Sequence, residues 1–138
     1  MSNSVLRGWS EWPVCHFDEL PDPGAKGFLV GDGEWPFRGF VVRKSQEIFA
    51  YANVCPHQRH PLDLLPDVFL TDDRESIRCS SHGALFDLTS GLCVFGPCVG
   101  HKLMQLESRI DSDRSVLVVA PASLRDAGLI IDGGFDTA

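Results

Sequence analysis

Four side chains near the middle of the chain could hold a soft metal centre. Cys55-Pro56-His57 and Cys79-Ser80-Ser81-His82 each pair a thiol with an imidazole, spaced C-x-H and C-x-x-H. Thiolate and imidazole are the donors that zinc, copper and iron–sulfur centres take, whereas carboxylates and carbonyls suit harder ions. Two thiolates and two imidazoles on separate loops could complete one tetrahedral zinc site. They could equally carry an iron–sulfur cluster with two sulfur and two nitrogen ligands. The ligand count alone leaves both open.

The residues around the pairs discriminate. Gly83-Ala84-Leu85-Phe86 follows His82 directly, and Gly96-Pro97 comes shortly after. Cys-Pro-His, then Cys-x-x-His-Gly-x-x-Phe, then Gly-Pro resembles the signature of the Rieske 2Fe-2S family. The resemblance implies that Cys55 and Cys79 bind one iron while His57 and His82 bind the other. Neutral imidazoles in place of anionic thiolates raise the potential above that of all-Cys clusters. Gly83 would let the backbone approach the cluster, and Pro97 would stiffen a third loop that covers it. The competing reading, a zinc-stabilised binding module, gives no reason for the His-Gly-x-x-Phe context or the later Gly-Pro. Colour separates the two, since a 2Fe-2S protein is brown and a zinc protein colourless.

The resemblance further implies a soluble Rieske-type ferredoxin, the ferredoxin component of oxygenase systems. It would accept electrons from a reductase and pass them singly to a terminal oxygenase, with no catalysis of its own. The small subunit of a multi-component reductase of the nitrite-reductase kind is the alternative. A complete Rieske oxygenase needs a further catalytic domain with a second iron held by two His and a carboxylate, which 138 residues are not expected to include. High-potential family members carry a Ser after the His-Gly pair and a Tyr two residues beyond, both donating to cluster sulfurs. Ala84 and Phe86 stand there in this chain and cannot donate. The disulfide that joins the two cluster loops in those members is also absent, because His60 and Ser81 occupy its positions. A low potential is therefore expected.

Charge and composition narrow the partners. A net charge of -7 disfavours nucleic acid and anionic membrane surfaces and leaves steering toward a basic redox partner open. No apolar run is long enough to span a bilayer, and the N-terminus lacks a signal pattern. The expectation is a cytoplasmic protein with redox-protein partners. Arg59 and Lys102 would flank the exposed histidine edge and assist docking. Cys15, Cys93 and Cys98 remain after the ligands are assigned and read as small buried hydrophobes, with Cys98 next to Pro97 nearest the centre. His16, His60 and His101 read as surface or hydrogen-bonded histidines.

The elements that must position these residues are short strands. Runs rich in β-branched and aromatic residues at 14–17, 27–30, 38–44, 48–54, 76–78, 84–88, 92–95, 102–110 and 115–120 alternate with Gly, Pro, Asp and Ser turns. In 48–54 apolar residues occupy both faces, as expected of a strand covered on each side. The fold class is all-β, with antiparallel sheets. By resemblance it is a single Rieske-type domain over 1–138. A base sheet comes from about 14–54 and 102–120, a cluster-binding lobe from about 55–100 is inserted in it, and 121–138 forms a tail. Between His57 and Cys79 the chain is longer than in compact family members, and Pro66, Asp67, Asp72 and Asp73 mark turns in the excess. Residues 121–127 suit one or two helical turns, and the tail through Gly133-Gly134 is expected to be mobile.

Overall fold

Strands β3 (Phe37–Lys44) and β4 (Glu47–Ala52) form the hairpin on which the rest is laid. Lys44 pairs with Glu47, so Ser45 and Gln46 alone make the turn. Ser45 takes a left-handed φ of 57°, and its N–H donates to Asp22 Oδ1 at 2.8 Å. Strand β2 (Gly24–Val30) pairs with the free side of β3, and β8 (Gln105–Leu106) with the free side of β4, completing an antiparallel sheet β2-β3-β4-β8. A second sheet joins β1 (Trp9–His16), β10 (Ser115–Pro121) and β9 (Ser108–Ile110) in the order β1-β10-β9. Between β4 and β8 lies a third sheet, β5 (Ser76–Arg78), β6 (Leu85–Asp87) and β7 (Cys93–Phe95). A small hairpin of β11 (Ile130–Ile131) and β12 (Gly134–Phe135) follows β10. The computed structural model describes residues 9–31, 36–56, 61–63, 68–79, 83–121, 130–131 and 134–135.

Both faces of the β3–β4 hairpin are covered, as the sequence of β4 requires. Phe40, Val42 and Tyr51 pack against Phe69, Ile77 and Phe86 on one face, where the Phe40 and Phe69 rings stack with centroids 4.3 Å apart. Val41, Ala50 and Ala52 on the other face pack against Val116, Val118 and Ala120. The two apolar layers thus join the third sheet to one side of the hairpin and the β1-β10-β9 sheet to the other. Tyr51 adds a polar tie, its buried hydroxyl donating to Leu88 O at 2.8 Å. Burial, and then the charge of Asp87, push its pKa up.

The chain departs from the sequence reading at three places. The first strand begins at Trp9, well before residue 14, because it pairs along the whole of β10 from Pro121 to Ser115. Trp12 Nε1 donates to Ala120 O at 2.9 Å within that ladder. The run 102–110 is two strands, since β8 belongs to one sheet and β9 to the other. The expected alternation also fails ahead of β8, which starts only at Gln105, so Leu103 and Leu106 are buried and Met104 is exposed. A 3-10 turn, Phe17–Glu19, occupies the end of the first expected strand. The helical turn expected at 121–127 falls mostly outside the described residues. Among the described residues no helix is long and apolar enough to cross a membrane.

Candidate metal centre

Cys55 is delivered by the end of β4. Asn53 N–H donates to Arg38 O at 3.1 Å, keeping the chain on the β3 edge just past Ala52, and Cys55 follows fully buried. The loop returns at Leu62, whose N–H donates to Asn53 Oδ1 at 2.8 Å. Asn53 Nδ2 donates to Asp63 Oδ1, also at 2.8 Å. One buried amide therefore clips together both ends of the first loop. The sequence reading passed over Asn53, although an amide in an apolar strand two residues before a candidate ligand was the available signal. Asn53→Ala removes both side-chain bonds and leaves the Leu62 N–H without its partner. An unsatisfied buried group costs about 1–3 kcal/mol, so the urea midpoint is expected to fall accordingly. An unchanged midpoint would contradict the role given to the amide.

Cys79 sits at the mouth of the β5–β6 hairpin. The pairs Ser76–Asp87, Ile77–Phe86 and Arg78–Leu85 continue into Cys79 N–H donating to Ala84 O at 2.9 Å, and Gly83 N–H returns to Cys79 O at 2.9 Å. Cys79 is thereby fixed with its side chain fully buried. Gly83 has φ +71°, and among the described residues a Cβ on it would meet nothing within 4 Å. The left-handed backbone accounts for this glycine, and no described residue fills the space beside it. Beyond the hairpin, Asp87 Oδ2 accepts from Thr89 N, Thr89 Oγ1 and Ser90 N at 2.9–3.1 Å, the turn-capping role its position suggests. Burial opposes its charge, but these bonds hold its carboxyl below the usual range.

The third loop leans on the second. Gly96, at φ +103°, stands so close that a Cβ would lie 2.9 Å from Ala84 Cα. Pro97 follows it, exposed. The backbone of the Gly-Pro loop thus rests on the residue two after His82, a reason for Gly96 that the sequence reading did not supply.

Cys55 and Cys79 enter the same buried core, together with Ala84, Phe86, Cys93 and Cys98. His57 and His82 lie outside the described residues, as do His60, Ser81 and Arg59. Among the described residues no three His, Cys, Asp or Glu side chains converge, and none of the five cysteines is in a disulfide. His16 accepts from Asp18 N at 3.2 Å, and His101 is exposed, in keeping with surface roles. Cys15 is only half-buried. Burial, and then Glu19, push its thiol up to about 11.

Two buried thiols on adjoining loops, a space beside Gly83 that no described residue fills and a third loop packed on Ala84 fit a cluster bound between loops. The molecule is thus an all-β, antiparallel-sheet protein with the buried thiols of Cys55 and Cys79 among its described residues. Its family follows from residues 10–113, which match the model of the Rieske 2Fe-2S domain. The chain belongs to that family, and its cofactor is the Rieske-type 2Fe-2S cluster.

Solved structures agree on the fold. The ferredoxin of carbazole 1,9a-dioxygenase from Nocardioides aromaticivorans IC177 superposes with a TM-score of 0.60 at 24% identity, covering 81% of this chain and 98% of that one. A Sphingomonas yanoikuyae B1 ferredoxin gives 0.61 at 20% identity, over 81% of this chain and 100% of its own. The terminal oxygenase of carbazole 1,9a-dioxygenase from Novosphingobium sp. KA1 gives 0.62 at 19% identity, over 91% of this chain but 34% of the oxygenase. No curated protein sequence matches the chain.

Proposed function

We propose that this protein is a low-potential soluble Rieske-type ferredoxin of the cytoplasm, accepting electrons from a reductase and passing them singly to a terminal oxygenase. Cys55, His57, Cys79 and His82 would hold the cluster, with about 55–100 as its lobe. The observation that carries the reading is coverage. The shared fold extends over 98–100% of two ferredoxins and 99% of a protein described as a nitrite reductase small subunit, but over a third of an oxygenase. Coverage thus favours a stand-alone Rieske chain, and the ferredoxins superpose better, at TM-scores of 0.60 and 0.61 against 0.56 for the small subunit. The cluster, when bound, stores one electron at a time. The chain's own contribution is to bury two thiols, to cap them with the Gly96-Pro97 loop and to present a face to the acceptor.

That face is apolar in its described part. Val94, Phe95 and Val99 are 55–63% exposed, and the exposed Leu92 lies just before them in sequence. They flank the loop that rests on Ala84, and a patch of this kind marks an interaction surface. Lys102 is exposed too, so the charged docking expected from the sequence has one described member. An apolar contact predicts that electron transfer depends weakly on salt. The test is stopped-flow transfer from the reduced protein to a terminal oxygenase. Phe95→Asp is expected to slow it at least severalfold while wild-type rates change little between low and high salt. A steep salt dependence with no effect of Phe95→Asp would overturn the docking face. Failure of the protein to take up one electron reversibly would overturn the carrier role itself.

A further inference from the structure

Cys93 and Cys98 lie outside the proposed ligand set, yet they face each other. Cys98 Sγ is 3.1 Å from Cys93 Sγ, and each residue is 2% exposed. The backbone between them enforces the contact. Cys93 N–H donates to His101 O at 2.8 Å, His101 N–H to Cys98 O at 2.9 Å and Gly100 N–H to Cys93 O at 3.5 Å. Gly96 supplies the reversal at φ +103°. Residues 93–101 are therefore a closed loop whose frame sets two short side chains sulfur to sulfur. This same loop carries Gly96 against Ala84.

We propose that Cys93 and Cys98 are a dithiol–disulfide pair, an oxidative modification site built into the loop that covers the centre. A disulfide bond is about 2.05 Å long, so the sulfurs need to close by only about 1 Å. The oxidant is a hydroperoxide. One thiol sulfur takes an oxygen from the peroxide to give a sulfenic acid, releasing the peroxide's remainder as water when hydrogen peroxide is used. The second sulfur then attacks the first, expelling the sulfenic oxygen as a second water. Two thiols and one hydrogen peroxide thus give one disulfide and two waters, with the two electrons passing from sulfur to oxygen.

The geometry sets the order of rates. Burial, and then the contact with Cys93, push the Cys98 thiol up to about 12, and buried thiols of this sort react slowly with outside oxidants. The second step joins groups already in contact and gains the rate advantage of an intramolecular reaction. Oxidation is thus slow to start and passes to the disulfide without accumulating sulfenic acid. Once formed, the bond ties both ends of the cover loop. Cys15, packed against the opposite core, serves as an internal reference thiol.

The test uses the brown holoprotein, treated with hydrogen peroxide at doses that leave its visible spectrum unchanged. It is then quenched in denaturant with iodoacetamide and digested with chymotrypsin without reductant. Phe95, 63% exposed in the fold, lies between the two cysteines, so cleavage after it separates them unless they are linked. The expected result is a loss of two hydrogen masses, with the Cys93 and Cys98 peptides travelling together until reductant parts them and neither linked to Cys15. In Cys98→Ser the link should vanish and a sulfenic acid on Cys93 should be trapped by dimedone. Separate, fully alkylated Cys93 and Cys98 peptides in the oxidised wild type would overturn the proposal. So would a link from either residue to Cys15, Cys55 or Cys79. Because the readout is a sulfur linkage, it stands apart from whether the protein carries electrons to an oxygenase.

Discussion

Cys79→Ser protein is expected to be nearly colourless, having lost most of its iron and labile sulfide. A hydroxyl is a far poorer donor to a soft iron–sulfide centre than a thiolate. The substitution also isolates ligation from folding. Both bonds that close the loop at Cys79 are made by its backbone, to Ala84 O and from Gly83 N–H, and a serine keeps them. Far-UV circular dichroism should therefore change little while the metal is lost. Cys15→Ser, on β1, and Cys93→Ser, outside the ligand set, should keep the wild-type visible spectrum. Stoichiometric iron with an unaltered spectrum in Cys79→Ser would remove Cys79 from the ligand set.

The second large effect concerns the midpoint potential. Rieske centres span roughly −150 to +300 mV, and donors to the sulfurs favour the more negative reduced form and so raise the value. Ala84 and Phe86 are both fully buried, and neither side chain can donate. The wild-type midpoint is therefore expected near the lower end of the range. For a one-electron couple about 59 mV corresponds to a tenfold change in equilibrium, or about 1.4 kcal/mol. A hydroxyl whose bond strengthens by that amount on reduction shifts the midpoint up by the same step. Ala84→Ser with Phe86→Tyr should thus raise it by one to two such steps in protein-film voltammetry. Hydroxyls that miss the cluster would be buried without partners, costing about 1–3 kcal/mol each. Lost stability at an unchanged midpoint would then be the result, and it would refute the alignment of these positions with the donors of high-potential members.

Much of the architecture was legible because strand signals here are local. The hairpin of β3 and β4 shows in the apolar runs Phe40-Val41-Val42 and Ala50-Tyr51-Ala52, divided by the polar stretch Arg43-Lys44-Ser45-Gln46-Glu47. The third sheet shows in Ile77 and Phe86, separated by the ligand loop. What stayed hidden depends on partners far along the chain. Trp9 and Ser10 are strand residues because Pro121 and Ala120 lie opposite them, which no window around residue 9 contains. The exchange of sheets at Glu107 has the same origin, since Val119 N–H donates to Glu107 O while Ala52 N–H donates to Met104 O. The four proposed donors stand out by type and spacing. Their supports do not, because the Asn53 clip and the seat of Gly96 on Ala84 join segments distant in sequence.

The measurement that bears most directly on the centre is pulsed electron paramagnetic resonance of the dithionite-reduced protein, combined with iron analysis. Two irons per chain and couplings from two histidine nitrogens are expected, with one coupling lost in His82→Cys if that variant retains a cluster. A colourless protein with one zinc per chain, or a reduced 2Fe-2S signal without nitrogen coupling, would contradict ligation by Cys55, His57, Cys79 and His82.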